Sequence, residues 1–421
     1  MEISPINLIP LWFVCLLAFY VACTLGANDV ANSMGTSVGS KAITLRQAII
    51  IAGVLEFLGA VLFGGRVSET LATGVVKPEE FIRSPQLFQL GMIAVLVSTG
   101  LWLQIATRKG LPVASSHAVV GAISGFSAVA VGWTAVAWKT VGLISLAWLI
   151  TPLISAAIAA SLYSLIKYWI LEHPHPQQQI LEWTPWLSCA MIAVFGTLVV
   201  PEISQPLAHL IKSQWGVNFP THDLTIAIAG LTVVGLTWFS WQPTFRSGDS
   251  KSSIERQLAQ FQVFSACFVA FAHGSNDVGN TVAPLAIIVY IRQTASVPLG
   301  EFHIPLWVLV IGGAGIATGL AVWGQKVIST VGENIITLAP SAGFSAELAT
   351  ATTVLIASNL GIPVSTSHAL VGGVVGVGLV QGWKSIKFGT VGKIALAWLI
   401  TVPTAAFLAA IGFLLLRYFM G

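Results

Sequence analysis

Two clusters of asparagine and aspartate stand inside otherwise apolar stretches and are the first candidates for binding chemistry. They consist of Asn28, Asp29 and Asn32 in one stretch, and Asn276, Asp277 and Asn280 in another. An ionised aspartate at membrane depth costs roughly 3 kcal/mol, and the four-residue spacing places both amides of a cluster on one helix face. Carboxylate and amide oxygens suit a hard cation such as sodium. Hydrogen bonding between helices is the plainer interpretation, but it accounts poorly for two copies.

Hydroxyl groups follow a proline in two further segments, Pro-Val-Ala-Ser-Ser-His (112–117) and Pro-Val-Ser-Thr-Ser-His (363–368). Proline favours the first turn of a helix, where free backbone N–H groups point outwards. Such N–H groups, the hydroxyls and the helix dipole can bind an oxyanion without any basic side chain. Simple helix capping would explain one copy. The predicted anion-binding hydroxyls belong to Ser115, Ser116, Ser365, Thr366 and Ser367.

Glu56 and Glu347 are further candidates because both lie inside apolar runs, where carboxylates are usually functional. They rank below the aspartates, since the first half has no carboxylate near Val95 to correspond to Glu347. His117 and His368 end the hydroxyl segments. A buried histidine is more often a hydrogen-bonded core residue than a proton carrier, so proton coupling is the lesser interpretation.

The elements that position these residues must be membrane helices. Of the 421 residues, 55% are hydrophobic and only 8% are charged, whereas soluble domains carry about 25% charged residues. Apolar runs of about 20 residues, long enough to span a bilayer, recur along the chain. The first, 9–25, lacks a basic leader and a cleavage site, which favours a retained helix. The net charge of +3 gives no reason to expect nucleic acid, and the four cysteines show no metal-ligand spacing.

The two halves of the chain repeat each other. Asn276 follows Asn28 by 248 residues, His368 follows His117 by 251, and the Leu-Ala-Trp-Leu-Ile-Thr segments match as well. Repeated halves are typical of secondary transporters, whose sites form where the repeats meet. The predicted organisation is a first repeat with connecting helices (1–242), a polar central loop (243–257) and a second repeat (258–421). Each repeat contains one proposed re-entrant hairpin, near 111–131 and near 362–381, because Gly-rich irregular backbone at membrane depth must be enclosed by protein.

The quoted motifs, including Gly-Ala-Asn-Asp-Val-Ala-Asn, His-Gly-Ser-Asn-Asp-Val-Gly-Asn and both Pro-Val-x-x-Ser-His segments, resemble the inorganic phosphate transporter (PiT) family over 26–403. The resemblance implies an all-α polytopic membrane protein of two inverted repeats, with broken helices, two re-entrant hairpins and about twelve transmembrane segments. It also implies a homodimer in a prokaryotic cell membrane, no enzymatic activity and no cofactor. Sodium would be the only metal ion, acting as the coupling ligand. The chain resembles the short prokaryotic form, without a large soluble domain.

Carried onto matching positions, the resemblance makes the aspartates and hydroxyls phosphate ligands, the Asn-Asp clusters sodium or coupling sites, and Glu56 and Glu347 essential for transport. The leading interpretation is therefore sodium-coupled symport of inorganic phosphate. Phosphate carries an O–H that an aspartate can accept, whereas sulfate has none. The alternatives are a proton-coupled phosphate permease, a sulfate permease of the same fold, a passive channel, and an intramembrane aspartyl protease that uses the two aspartates as a dyad.

Overall fold

The structure is a computed structural model, and it describes residues 9–109, 113–216, 220–246, 251–331 and 339–420. The first half contains α1 (Leu11–Gly39), α2 (Leu45–Phe63), α3 (Gly65–Glu69), α4 (Pro85–Arg108), α5 (Ser115–Ala130), α6 (Trp138–Ile166), α7 (Pro176–Leu198), α8 (Val200–Trp215) and α9 (Thr221–Arg246). The second half contains α10 (Lys251–Asp277), α11 (Gly279–Thr294), α12 (Leu306–Val331), α13 (Pro340–Asn359), α14 (Thr366–Gln381) and α15 (Phe388–Met420).

Within the described residues, eight helical stretches are long and apolar enough to cross a membrane, judged by length and composition. These stretches include α1, α2, α4, α6, α7, α9, α12 and α15. The prediction of an all-helical polytopic protein is therefore confirmed, while the number of twelve segments stays a prediction. The helices α5 and α14 have 16 residues each and are about 24 Å long. Because the hydrocarbon core is about 30 Å thick, these two helices suit the arms of re-entrant hairpins. Residues 111 and 112 of the first predicted hairpin lie outside the described residues.

The two repeats run in opposite directions. Five residues join α1 to α2, and Ser33 of α1 hydrogen-bonds Glu56 of α2, so α2 returns alongside α1. Along α2 and its extension, Glu56 lies against His273 and Gly64 lies against Val278. Residue numbers therefore increase in the same direction along both helices at this contact, which makes α10 parallel to α2 and antiparallel to α1. The helix that carries Asp29 and the helix that carries Asp277 therefore have inverted directions.

Equivalent contacts appear in each half, with the partners exchanged. Gly26 of α1 packs against the backbone of Ile316 in α12, and Gly274 of α10 packs against the backbone of Glu56 in α2. In both places an added Cβ would collide with the facing backbone, so glycine is what permits the close approach. The helices α5 and α14, which we call the hairpin helices after the predicted hairpins they belong to, follow the same rule, since α5 packs on α15 and α14 packs on α6. Each hairpin helix is thus held by the opposite half.

The helix at the first Asn-Asp cluster is regular, whereas the backbone at the second cluster is irregular over one residue, Val278, which still keeps helical dihedral angles. Residues 11–39 form one helix, but α10 ends at Asp277 and α11 begins at Gly279. Each repeat contains an interrupted helix among the described residues, at Gly64 between α2 and α3 and at Val278 between α10 and α11, in agreement with the prediction of broken helices. Pro284 lies inside α11 and has no N–H for the carbonyl of Asn280. The corresponding residue of α1 is Thr36, which keeps its N–H, so the backbone hydrogen bond that α11 lacks at Pro284 is possible in α1.

The prediction of a polar loop over 243–257 is wrong at both ends. Helix α9 continues to Arg246 and α10 begins at Lys251, so 243–246 and 251–257 are helical. Residues 247–250 lie outside the described residues. Polar composition misled the prediction because a helix that extends beyond a membrane can be polar on every side that meets water. Glu255 in this helical extension accepts hydrogen bonds from the backbone N–H and the hydroxyl of Ser341, at the first turn of α13.

Candidate functional site

The two predicted aspartates lie close together in the interior. Asp29 is 3% exposed and Asp277 is 2% exposed. One carboxylate oxygen from each, together with a ring nitrogen of His273, forms a group whose atoms all lie within 4.8 Å of one another. Helices α1 and α10 pack against each other in opposite directions, and this packing brings Asp29 of α1 close to Asp277 at the end of α10. The fold therefore brings the duplicated motif together into one site.

Both predicted hydroxyl segments open a helix beside the aspartates. Helix α5 begins at Ser115 and α14 begins at Thr366, as the sequence pattern predicts. The hydroxyl of Thr366 donates to Oδ2 of Asp277 at 3.2 Å, and Nδ2 of Asn280 donates to Oγ of Ser115 at 3.2 Å. Ser365 caps α14 by accepting the backbone N–H of His368 at 3.3 Å. The hydroxyls of Ser365 and Ser367 are 2.8 Å apart.

The first asparagine of each cluster holds the turn that precedes a hairpin helix. Nδ2 of Asn28 donates to the carbonyl of Val113 at 3.5 Å, and Nδ2 of Asn276 donates to the carbonyl of Ile362 at 3.2 Å. Their side-chain oxygens accept hydrogen bonds from the hydroxyl of Thr107 and the backbone N–H of Val364 respectively. Asn28 and Asn32 also donate to Oδ1 of Asp29. These contacts position the aspartates relative to the hairpins.

Several buried oxygens in this region have no hydrogen-bond partner within the part of the chain that the structure describes. They are Oδ2 of Asp29, Oδ1 of Asp277, Oδ1 of Asn280, Oγ of Ser116 and Oγ1 of Thr281. Buried polar atoms are nearly always satisfied by protein, water or a ligand. Carboxylate, amide and hydroxyl oxygens are the donor set that a hard cation takes, and hydroxyls at helix N-termini are suited to an oxyanion. The site therefore has the chemistry to hold both kinds of ligand.

Comparison with known proteins agrees with this geometry. The model of the phosphate transporter family matches residues 25–409. The chain belongs to this family. The chain is thus a phosphate transporter or permease by family, and not an enzyme.

Relatives of this family member span several kingdoms of life. A Haemophilus influenzae protein named "Putative phosphate permease" is 36% identical over 96% of this chain and 96% of its own length. A similarly named Pyrococcus furiosus protein is 38% identical over 99% and 98%. The Arabidopsis thaliana protein "Inorganic phosphate transporter 2-1, chloroplastic" is 38% identical over 94% of this chain and 70% of its own. A solved structure of "the sodium-dependent phosphate transporter" superposes with a TM-score of 0.88, at 36% identity, covering 97% of this chain and 99% of that one.

His273 contacts the candidate site, although the sequence motifs did not single it out. Its Nε2 lies 2.9 Å from Oδ2 of Asp277 and its Nδ1 lies 3.1 Å from Oε1 of Glu56, with all three side chains almost fully buried. Glu56 also accepts the hydroxyl of Ser33 at 3.0 Å. His273 corresponds to Leu25 in the first repeat. The exchange of an apolar residue for a histidine between repeats, four residues before Asp277, was the signal that could have revealed it.

Glu347 lies in a separate pocket of the transporter, lined by hydroxyl and amide donors from both halves. Its carboxylate accepts hydrogen bonds from Thr36 at 2.5 Å, Ser37 at 2.7 Å, Ser265 at 2.8 Å and Gln262 at 3.2 Å. Glu347 is completely buried. The structure thus brings Glu56 into contact with the aspartate cluster through His273, whereas Glu347 contacts the residues of α1 that lie one to two turns after Asn32.

Proposed function

We propose that this transporter is a secondary active symporter that couples the movement of inorganic phosphate to sodium. The observation that carries the proposal is the set of unsatisfied buried oxygens where the two aspartates face the first turns of α5 and α14. In the proposal both ligands share this place, and alternating access exposes it first to one side of the membrane and then to the other. The proposal extends to a homodimer in the cell membrane of a prokaryote, with the lipid bilayer as surroundings and no cofactor.

The sodium part of the proposal assigns cations to the aspartates and to the amides that accompany them. The ligand atoms would come from Asp29, Asp277 and Asn280, with Asn28, Asn32 and Asn276 holding these groups in place. Two carboxylates this close repel one another, so a cation between them lowers the free energy of the site. Support also comes from the structural neighbour, which is described as sodium-dependent.

The phosphate part of the proposal assigns the anion to the hydroxyls and free N–H groups of the two hairpin helices. The hydroxyls are those of Ser115, Ser116, Ser365, Thr366 and Ser367. An anion placed here faces the negative charge of Asp29 and Asp277, so it binds favourably only once cations neutralise that charge. This difference in affinity is the coupling free energy that symport requires. The aspartate oxygens can also accept the O–H that phosphate retains near pH 7.

Uptake of radiolabelled phosphate into proteoliposomes tests the proposal. An inward sodium gradient should drive accumulation, and replacing sodium with choline should abolish it. Asp29→Asn and Asp277→Asn should each reduce uptake at least tenfold, because each loss of charge corresponds to at least one weakened cation contact. Asp223→Asn, at an exposed aspartate near the start of α9, is the matched control and should leave uptake unchanged.

One observation favours a second candidate, a proton-coupled phosphate permease of the same fold. His273 lies between Glu56 and Asp277, and an imidazole between two carboxylates can exchange protons with either. Uptake that continues without sodium but collapses with a proton ionophore would establish this alternative in place of sodium coupling. Competition by equimolar sulfate would instead identify a sulfate permease, because the hydrogen bond from the phosphate O–H would then contribute nothing to selection.

A further inference from the structure

Two buried histidines meet where the hairpin helices begin. His117 and His368 directly follow the last hydroxyl of their segments, Ser116 and Ser367. The two rings are 4.7 Å apart between centroids, edge to face, and both residues are about 95% buried. Because the residues correspond to each other in the repeat, this contact lies where the two halves are related by their internal symmetry. We call the cluster of His117, His368, Trp148 and Trp398 the histidine–tryptophan lock.

Each histidine of the lock contacts two helices in different ways. Nδ1 of His117 is 3.3 Å from the carbonyl of Trp398 in α15, and its ring stacks on Trp148 of α6 at 3.8 Å. Nδ1 of His368 is 3.0 Å from the carbonyl of Trp148, and its ring lies on Trp398 at 3.6 Å. The hydrogen bonds and the ring contacts are therefore crossed. A displacement of either hairpin helix strains contacts with both α6 and α15.

The lock also reaches the turn before the second hairpin helix. Nε1 of Trp148 donates to the carbonyl of Pro363 at 3.0 Å, so one tryptophan holds the hairpin turn, His368 and the ring of His117 together. Since a carbonyl can only accept, each histidine Nδ1 must carry the hydrogen in its bond. The hydrogen bond from Nδ1 sets the orientation of each histidine ring. Because Ser116 and Ser367 directly precede these histidines, it also restrains the first helical turn that carries their hydroxyls.

We propose that His117 and His368 are positioning residues. They hold the first turns of α5 and α14 in a fixed relative arrangement, so that the hydroxyls of both turns form one anion-binding site. The proposal rests on the proposed phosphate function of the same hydroxyls. The lock keeps the hydroxyls of Ser115 and Ser116 at a constant distance from those of Thr366 and Ser367. Each repeat contributes half of this anion-binding site. Without the lock the two sets of hydroxyls would move independently, and they would be correctly placed to bind a tetrahedral anion only part of the time.

Phosphate uptake kinetics of four variants test the lock. His117→Phe and His368→Phe keep an aromatic ring but lose the N–H donor, and each should raise the KM for phosphate at least fivefold. The KM of the double variant should be within about twofold of the KM of either single variant, because either substitution alone frees α5 and α14 from their fixed arrangement. If the two residues acted independently, their effects on KM would instead multiply to about 25-fold. His117→Asn retains a donor in place of Nδ1 and should recover part of the affinity. His209→Asn, at an exposed histidine of α8, is the control.

A second readout does not depend on transport. Spin labels on Val129→Cys in α5 and Leu379→Cys in α14, both at exposed positions, should give one narrow distance distribution by electron resonance after the native cysteines are replaced. The His→Phe variants should broaden it. An unchanged phosphate KM in both Phe variants overturns the proposal, whatever their melting temperatures. If the wild type takes up no phosphate, the proposed function fails, and the distance distribution alone decides: broadening supports the lock and an unchanged distribution overturns it.

Discussion

Replacing His273 with leucine should destabilise the protein by leaving two buried carboxylates without their shared cationic or hydrogen-bonding partner. His273 and Glu56 are both completely buried, and the ring nitrogens lie 3.1 Å and 2.9 Å from oxygens of Glu56 and Asp277. Removing one member of a buried ionic group typically costs about 3–5 kcal/mol. Leucine is the residue at the corresponding position of the first repeat, Leu25, so its packing against a similar surface is already present in this protein.

The partner substitution is Glu56→Ile. Isoleucine is chosen because Ile316 packs against Gly26 in the way that Glu56 packs against Gly274. Alone it should cost about 1–3 kcal/mol, because His273 keeps Asp277 but loses one charged hydrogen-bond acceptor. The double variant replaces most of the buried polar group with apolar side chains, a change that is often close to neutral. The two costs should therefore fall short of additivity by about 2 kcal/mol or more.

Denaturant titration in detergent micelles measures the free energy of unfolding of the wild type, both single variants and the double variant. Leu25→Met is the control, since a volume-conserving swap in a core usually costs less than about 1.5 kcal/mol. Costs that add to within about 0.5 kcal/mol would mean that the two side chains do not interact. That result would refute the contact and, with it, the assignment of His273 to the site. Phosphate uptake should be lost in all three variants that remove His273 or Glu56, independently of their stability.

Three further predictions concern elements around the site. Arg66 donates to the backbone carbonyl and side-chain oxygen of Asn359 at the end of α13, so Arg66→Ala should lower the free energy of unfolding by about 1 kcal/mol, as measured by denaturant titration; an unchanged free energy would show that this contact does not stabilise the fold. Glu347→Gln preserves the shape of the group but not its charge, so uptake should fall at least tenfold with less than about 2 kcal/mol of stability lost, and retained uptake would remove Glu347 from the transport residues. Pro284→Ala restores a helix N–H and should stabilise α11 by up to about 3 kcal/mol while slowing uptake, as measured by initial rates; a variant with unaltered rates would show that the missing hydrogen bond to the carbonyl of Asn280 has no role in transport.

Much of this architecture could be predicted from the sequence. Hydropathy indicates membrane helices because the energetics of burial in a bilayer act on each segment locally. The duplicated motifs indicate two related halves, and a proline before a run of hydroxyls indicates where α5 and α14 begin, because the first turn of a helix imposes its own residue preferences. Asp29 and Asp277 could be selected for the same reason, since a carboxylate in an apolar segment is costly wherever the segment packs.

Other features depended on contacts between residues far apart in the chain. The sequence does not show that Glu56 lies beside His273, because this contact joins two helices that are far apart in the chain. It also does not show that Thr36 and Ser37 of the opposite half donate hydrogen bonds to Glu347. The backbone difference between the regular α1 and α11, which contains Pro284 where α1 has Thr36, was concealed by the duplicated motif. The sequence by itself therefore determined the membrane class, the repeat and the acidic and hydroxyl motifs, all of which follow from local energetics. Only the tertiary structure decided which side chains meet, because the antiparallel packing of the two repeats is a property of the whole chain.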